Sequence, residues 1–197
     1  MTDVNAYHVG DNASLIAKVA ELGYLRVEDR ILDLTAGRLV WWKRWHPETL
    51  FTNDLDPLAR VDHHENFLRP LSAWTAAFDV VAFDAPYRMR GTPDPDFDTR
   101  YGAQKPSKEK DILSLLTEGA QAALTCVRTG GMLLVKCQDQ VCSGRIVWQT
   151  QHVIDALKGE ATLVERFDMP PARPQPAGRR QLHARRGSTL LIFRRDR

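Results

Sequence analysis

The sequence predicts an α/β fold in which a mostly parallel, doubly wound sheet carries helices on both faces. Three observations point to it. Short apolar runs that end in turn residues recur at 30–34, 49–53, 79–83, 132–136, 161–167 and 188–193, each a strand candidate. Helical periodicity lies between them, clearest at 108–126 (Ile112, Leu115, Leu116, Ala120, Ala123, Leu124) and at 149–158. Finally, the segment DMPPARPQPAGRRQLHARRG separates the last two strands and is too rich in Pro, Gly and Arg for a crossover helix, so these strands pair antiparallel.

The first element is an amphipathic helix over 11–21, capped by Asp11 or Asn12, with Leu15, Val19 and Leu22 on one stripe and Gly23 as its stop. Strand and helix then alternate. Right-handed crossovers bring the carboxyl ends of the parallel strands to one edge, so chemistry is expected just after strands. A length of 197 residues with 43% hydrophobic content suits one domain, 1–197. The polar opening MTDVNAYHVGDN and the lack of any apolar run near the roughly 20 residues of a membrane span predict a cytoplasmic protein. Cys126, Cys137 and Cys142 form no C-x-x-C pair and read as reduced thiols in or near the core. The net charge of +2 hides an asymmetry: beyond Met169 lie Arg173, Arg179, Arg180, Arg185, Arg186, Arg194, Arg195 and Arg197 against the acid Asp196.

The strand ends supply the candidate site. In ILDLTAGRLVWWKRW, Asp33 ends a strand and Gly37 follows, where a sharp bend lets a ligand approach the backbone. The next strand ends in FTNDLDP, with Asp54 placed to accept hydrogen bonds from a ribose diol. Ordinary surface turns use the same residues, but the ordered pair points to a nucleoside-containing ligand. A nicotinamide dinucleotide is disfavoured, because positions 37, 39 and 42 hold Gly, Leu and Trp and do not make the G-x-G-x-x-G phosphate cradle.

The third strand, FDVVAFDAPYR, delivers Asp84, Ala85, Pro86 and Tyr87 to the same edge. Pro86 fixes its own φ and biases Ala85 toward an extended conformation, so the segment holds its carbonyls rigidly. Such a rigid acceptor pair suits attack by an exocyclic amino group, whose lone pair is delocalised into a nucleobase ring. The Asp84 carboxylate and a carbonyl of Ala85 or Pro86 would accept its N–H groups and localise the lone pair, while Tyr87 would stack on the base.

From Ile31 to about Lys136 the chain resembles the class I S-adenosylmethionine-dependent amino-methyltransferases that modify adenine N6, cytosine N4 or guanine N2. Their signature is D/N/S-P-P-Y/F, from which DAPY departs by one residue, and LDLTAG, NDLDP and DAPY occur in the order the family uses. The resemblance implies a Rossmann-like, doubly wound, mostly parallel seven-stranded sheet with an antiparallel final strand. It further implies S-adenosylmethionine as cofactor, bound by Asp33 and Gly37 near its amino acid part, Asp54 on its ribose and Asn66 near its adenine, with Thr35 a further cofactor-binding residue. An exposed loop amide is the alternative for Asn66, and Leu39 departs from the second glycine of the family's cofactor loop.

Trp41, Trp42 and Trp45 read as helix packing more readily than as a pocket wall, and His63 and His64 as solvated turn residues without a metal. The loop after DAPY has the composition of a lid, and Lys136, Gln138, Asp139 and Gln140 reach the same edge. Arg179, Arg180, Arg185 and Arg186, interleaved with Gln181 and His183, suit nucleic-acid phosphates. The expected activity is therefore methylation of adenine N6 or cytosine N4 in DNA, on a base flipped out or unpaired. RNA base methylation, a non-catalytic nucleic-acid-binding role and a small-molecule methyltransferase stand as the alternatives.

Overall fold

The computed structural model describes residues 5–86, 109–171, 183–184 and 186–196. Helix α1 (Asn12–Glu21) begins at Asp11, whose carboxylate accepts the Ser14 N–H at 2.7 Å. It ends where Gly23 takes a φ of 84° and the Tyr24 amide reaches back to the Val19 carbonyl at 3.2 Å. Strands β1 (Arg30–Asp33), β2 (Thr49–Thr52) and β3 (Phe78–Phe83) follow, then α2 (Glu109–Cys126) and β4 (Val127–Cys137). A small hairpin, β5 (Gln140–Cys142) and β6 (Arg145–Val147), leads into α3 (Gln149–Ala156), and β7 (Ala161–Asp168) and β8 (Thr189–Arg195) complete the chain.

The main sheet has six strands in the order β2-β1-β3-β4-β8-β7. β2, β1, β3 and β4 run parallel, and β8 is antiparallel to both of its neighbours. The antiparallel β7–β8 pair is as the sequence predicts. The seven-stranded expectation is corrected: beside β2 the described residues hold one parallel bridge, Asn53 to His63, in place of a further strand. The physical reason lies in the side chain of Asn53, which is fully buried. It donates to the carbonyl of Glu65 at 3.0 Å and accepts the Glu65 N–H at 2.8 Å, replacing a ladder with one side-chain clamp. The crossovers from β1 to β2 and from β2 to β3 contain only the 3-10 turns Val40–Lys43 and Ser72–Trp74.

Both faces of the sheet are covered, which is why its central strands read as continuous apolar runs. Leu15, Ile16 and Val19 of α1 pack with Trp41, Trp42, Ile31, Val80 and Leu134 on one face. On the other, Leu116, Ala120, Ala123 and Leu124 of α2 and Val153 of α3 pack on Leu32, Val81, Phe83 and Leu133. Cys126 and Cys137 are buried and Cys142 is half-buried, all as free thiols. No helix among the described residues is long and apolar enough to cross a membrane.

Gly119 sets the distance between α2 and the sheet, because a Cβ there would collide with the rings of Phe83 and Phe67. Gly119→Val is expected to destabilise the fold by about 1–3 kcal/mol through overpacking. Urea unfolding measures it, and an unchanged midpoint would mean that the helix and the rings give way freely.

Candidate functional site

The strand order changes direction between β1 and β3, the place where open α/β sheets leave a crevice at their carboxyl edge. Backbone bonds tie the three strand exits together here. The Leu34 amide donates to the Ala82 carbonyl at 2.9 Å, and the amides of Asn53 and Ala36 donate to the carbonyls of Asp33 and Asn53, each at 2.8 Å. The Asp84 amide donates to the Thr35 hydroxyl at 2.7 Å. The crevice is lined by Thr35, Asp54, Leu55, Phe67, Asp84 and Pro86.

Asp33 is buried at the end of β1, with 4% of its surface exposed. Its Oδ2 accepts the indole N–H of Trp42 at 2.7 Å and its Oδ1 accepts the Thr35 amide at 3.2 Å. Burial raises its pKa from 3.8 to about 7, the two hydrogen bonds oppose the rise, and the charges of Asp84 and Asp54 add to it. An uncompensated carboxylate at this place is thus poised to be neutralised by a proton or by a cationic ligand.

Gly37 has a φ of 51°, and its amide donates to Asp54 Oδ2 at 2.8 Å. Asp54 Oδ1 accepts the Asp56 amide at 2.9 Å, so the buried carboxylate is fixed while each oxygen keeps a second lone pair. Leu39, where the family's loop has glycine, is itself left-handed, with φ 55° and ψ 33°. The backbone therefore keeps the glycine conformation at a cost of about 1–2 kcal/mol, and the leucine side chain packs against the α1 face.

Asp84 Oδ2 accepts the indole N–H of Trp41 at 3.1 Å and lies 3.8 Å from Lys136 Nζ. Lys136, buried at the end of β4, also donates to Asn12 Oδ1 at 2.7 Å, so the start of α1 is joined to the site. Ala85 is buried and Pro86 half-buried beside Asp84, whereas Tyr87 lies outside the described residues. Trp41 and Trp42 pack in the core against α1, as the sequence suggests, and they have a second role that it does not show. Both sit in the 3-10 turn, buried against α1, and each aims its one polar atom at an acid of the site. Neither their spacing nor that of Lys136 signals such a bond.

Asn66 is exposed, does not line the crevice, and caps its own turn by accepting the Leu68 amide at 3.0 Å; its neighbour Phe67 lines the crevice instead. His63 is half-buried with its ring edge-on to Trp74 at 5.2 Å, and His64 Nδ1 lies 3.2 Å from the Asp54 carbonyl, so both brace the second turn. Asp139 accepts the Thr150 amide at 3.0 Å and thereby caps α3. Gln138 donates to the Arg186 carbonyl at 2.6 Å, which brings Arg186 to the same edge. Arg179, Arg180 and Arg185 lie outside the described residues.

Sheet order, antiparallel β8 and the acidic crevice at the switch point together define a Rossmann-like fold of the methyltransferase type. The similarity spans nearly the whole chain. The N-methyltransferase NodS from Bradyrhizobium japonicum WM9 aligns over 95% of this chain and 100% of its own, with a TM-score of 0.51 and 14% identity. TrmN from Thermus thermophilus aligns over 92% of this chain and 48% of its own, with a TM-score of 0.55 and 13% identity. The [4+2]-cyclase SpnF aligns over 98% and 86% of the two chains, with a TM-score of 0.58 and 13% identity. Identities this low speak for the fold alone. No protein-family model and no curated protein sequence matches the chain.

Between pH 4 and 7 the folded chain holds a proton on Asp33 that the unfolded chain has released, so this group's contribution to stability falls as pH rises through that window and is constant above it. Trp42→Phe removes the donor to Asp33 and is expected to cost about 1–3 kcal/mol. The loss is greater at pH 8, where the carboxylate is charged, than at pH 6. Urea unfolding at the two pH values measures the difference, and equal losses would take the indole N–H out of Asp33's electrostatics.

Proposed function

We propose that this chain transfers a methyl group from S-adenosylmethionine to an exocyclic amino group of a nucleobase, with adenine N6 or cytosine N4 in DNA as the leading targets. One observation carries the reading: three adjacent strands bring acids to the switch point, where Asp54 and Asp84 line the crevice and Asp33 lies buried beside them, its Oδ1 accepting the amide of the crevice residue Thr35. The chemistry of this donor set fits the cofactor. A cluster of carboxylates attracts an ammonium and a sulfonium and accepts from a ribose diol, whereas it repels the pyrophosphate of a dinucleotide. Asp33 and the Thr35–Gly37 turn would hold the amino acid part, and Asp54 the ribose. Asn66, which lies off the crevice, is retained only as a contact for the adenine edge.

S-adenosylmethionine, when bound, supplies an electrophilic methyl group on sulfur. The chain's own task is to orient the amine. Asp84, fixed through Trp41 and Lys136, and the Ala85 carbonyl, restrained by Pro86, accept its two N–H groups and direct the lone pair away from the ring. Tyr87 stacks on the base in this reading, and Arg179, Arg180, Arg185 and Arg186 hold phosphates. As the new N–C bond forms, the C–S bond breaks, and one amine proton is lost to solvent.

The deciding experiment supplies the purified protein with labelled S-adenosylmethionine and unmodified DNA or RNA, followed by digestion to nucleosides and mass spectrometry. The expected product is N6-methyladenine or N4-methylcytosine in the deoxy form. The ribo form would assign RNA, and cofactor binding without product on either polymer would sink the nucleobase reading. Asp84→Ala is expected to lower product formation by at least about 100-fold while sparing cofactor affinity, given the weight of a transition-state acceptor. Asp54→Ala is expected to weaken cofactor binding about tenfold or more by calorimetry, the cost of a lost charged hydrogen bond. Unchanged affinity would remove Asp54 from the ribose.

A further inference from the structure

Trp148 is a large aromatic residue whose exposure the fold does not require. It stands at the N-cap of α3 with 46% of its surface exposed, and its indole, a donor only, cannot cap the helix, a role that Asp139 takes from just beyond the end of β4. The guanidinium of Arg186 lies over its ring at 4.5 Å. Arg186 Nε is buried with no hydrogen-bond partner, and no carboxylate among the described residues pairs with this guanidinium. A desolvated donor without an acceptor is costly in a finished structure and marks the place of a missing one.

The pair is built into the carboxyl edge of the sheet. Gln138, two residues beyond Lys136, donates its backbone amide to the Gln149 side-chain oxygen at 3.2 Å and its side-chain amide to the Arg186 carbonyl. Gly187 permits the approach, since a Cβ there would overlap the Met169 carbonyl. Gln138, just beyond the strand that carries Lys136 to Asp84, thus ties Arg186 to Gln149, the neighbour of Trp148.

We propose that Trp148 and Arg186 form a nucleotide clamp for single-stranded or locally unpaired nucleic acid, in which one base stacks on the indole and the guanidinium takes a backbone phosphate. The inference rests on the nucleobase reading above and adds to it a substrate state and an anchoring residue, Trp148. An indole offers a face to any base, and a guanidinium stacked on an aromatic ring keeps its in-plane N–H groups free to meet phosphate oxygens. A base within a duplex has no free face, so the clamp selects for unpaired strands.

The test is fluorescence anisotropy of the full-length protein with a fluorescein-labelled mixed-sequence single-stranded DNA, its RNA counterpart and the matching duplex, with calorimetric S-adenosylmethionine binding as the control. Trp148→Ala is expected to weaken single-strand binding roughly 5- to 100-fold, Trp148→Phe to keep most of it, and duplex and cofactor affinity to stay unchanged. Arg186→Gln, a second variant that leaves the indole in place, should lower the salt dependence by about one phosphate contact. Wild-type single-strand affinity in Trp148→Ala overturns the clamp, and methylated product in that variant would show that the nucleobase reading survives it. Equal losses on duplex and single strand overturn the selection for unpaired strands. A wild-type protein that binds the cofactor but no polynucleotide overturns the clamp and the polymer substrate together, and points to a protein partner on this surface.

Discussion

Parallel strands deliver their carboxyl ends to one edge, and here three adjacent strands each bring an aspartate there, Asp33, Asp54 and Asp84, so an apolar sheet must hold three carboxyl groups side by side. Desolvation and mutual repulsion oppose this arrangement, as the pKa of Asp33 near 7 records. What holds it is a set of donors, three of them from outside the strands. Trp42 donates to Asp33, the Gly37 amide to Asp54, and Trp41 to Asp84 with Lys136 close by. The 3-10 turn between β1 and β2, which stands where a crossover helix is usual, places both indoles at once against the α1 face and under the acids.

Asn53 extends the same logic to the outer side of the site. Its amide side chain donates to the carbonyls of Leu34 and Glu65 and accepts the Glu65 amide, so one buried residue joins the exits of β1 and β2 to the segment beyond. A seventh strand would satisfy those backbone groups through a ladder, but VDHHEN lacks the apolar alternation that a strand needs at a sheet edge. The clamp keeps Phe67 in place beside the crevice without the strand.

The elements legible in the sequence are those with a periodic apolar pattern or a turn residue of fixed meaning. The six main strands, α1 with its Asp11 cap and Gly23 stop, and the antiparallel β8 are of this kind. The acids at the strand ends were legible for the same reason, since finding the strands finds their exits. Trp41, Trp42 and Lys136 were not, because an indole or ammonium bonded to an acid 43, 9 or 52 positions away leaves no local pattern. Leu39 hid its backbone conformation, because leucine is not the residue that marks a left-handed turn. The β5–β6 hairpin, with strands of three residues, is too short for its alternation to be distinguished from a loop.

Along the edge, the chemistry changes sign. The β1 and β2 end is acidic and almost closed to water, with Asp33 and Asp54 both buried, while the β4 and β8 end carries Lys136 and the guanidinium of Arg186, stacked on Trp148. Asp84 stands at the boundary, turned toward Trp41 from the first half and Lys136 from the second. An edge with this gradient favours a small cation on one side and a polyanion on the other, and it disfavours the exchange of the two ligands by the same charges. The strand order fixes that division, because the order in which the parallel strands are laid down reverses between β1 and β3, next to Asp84 at the boundary.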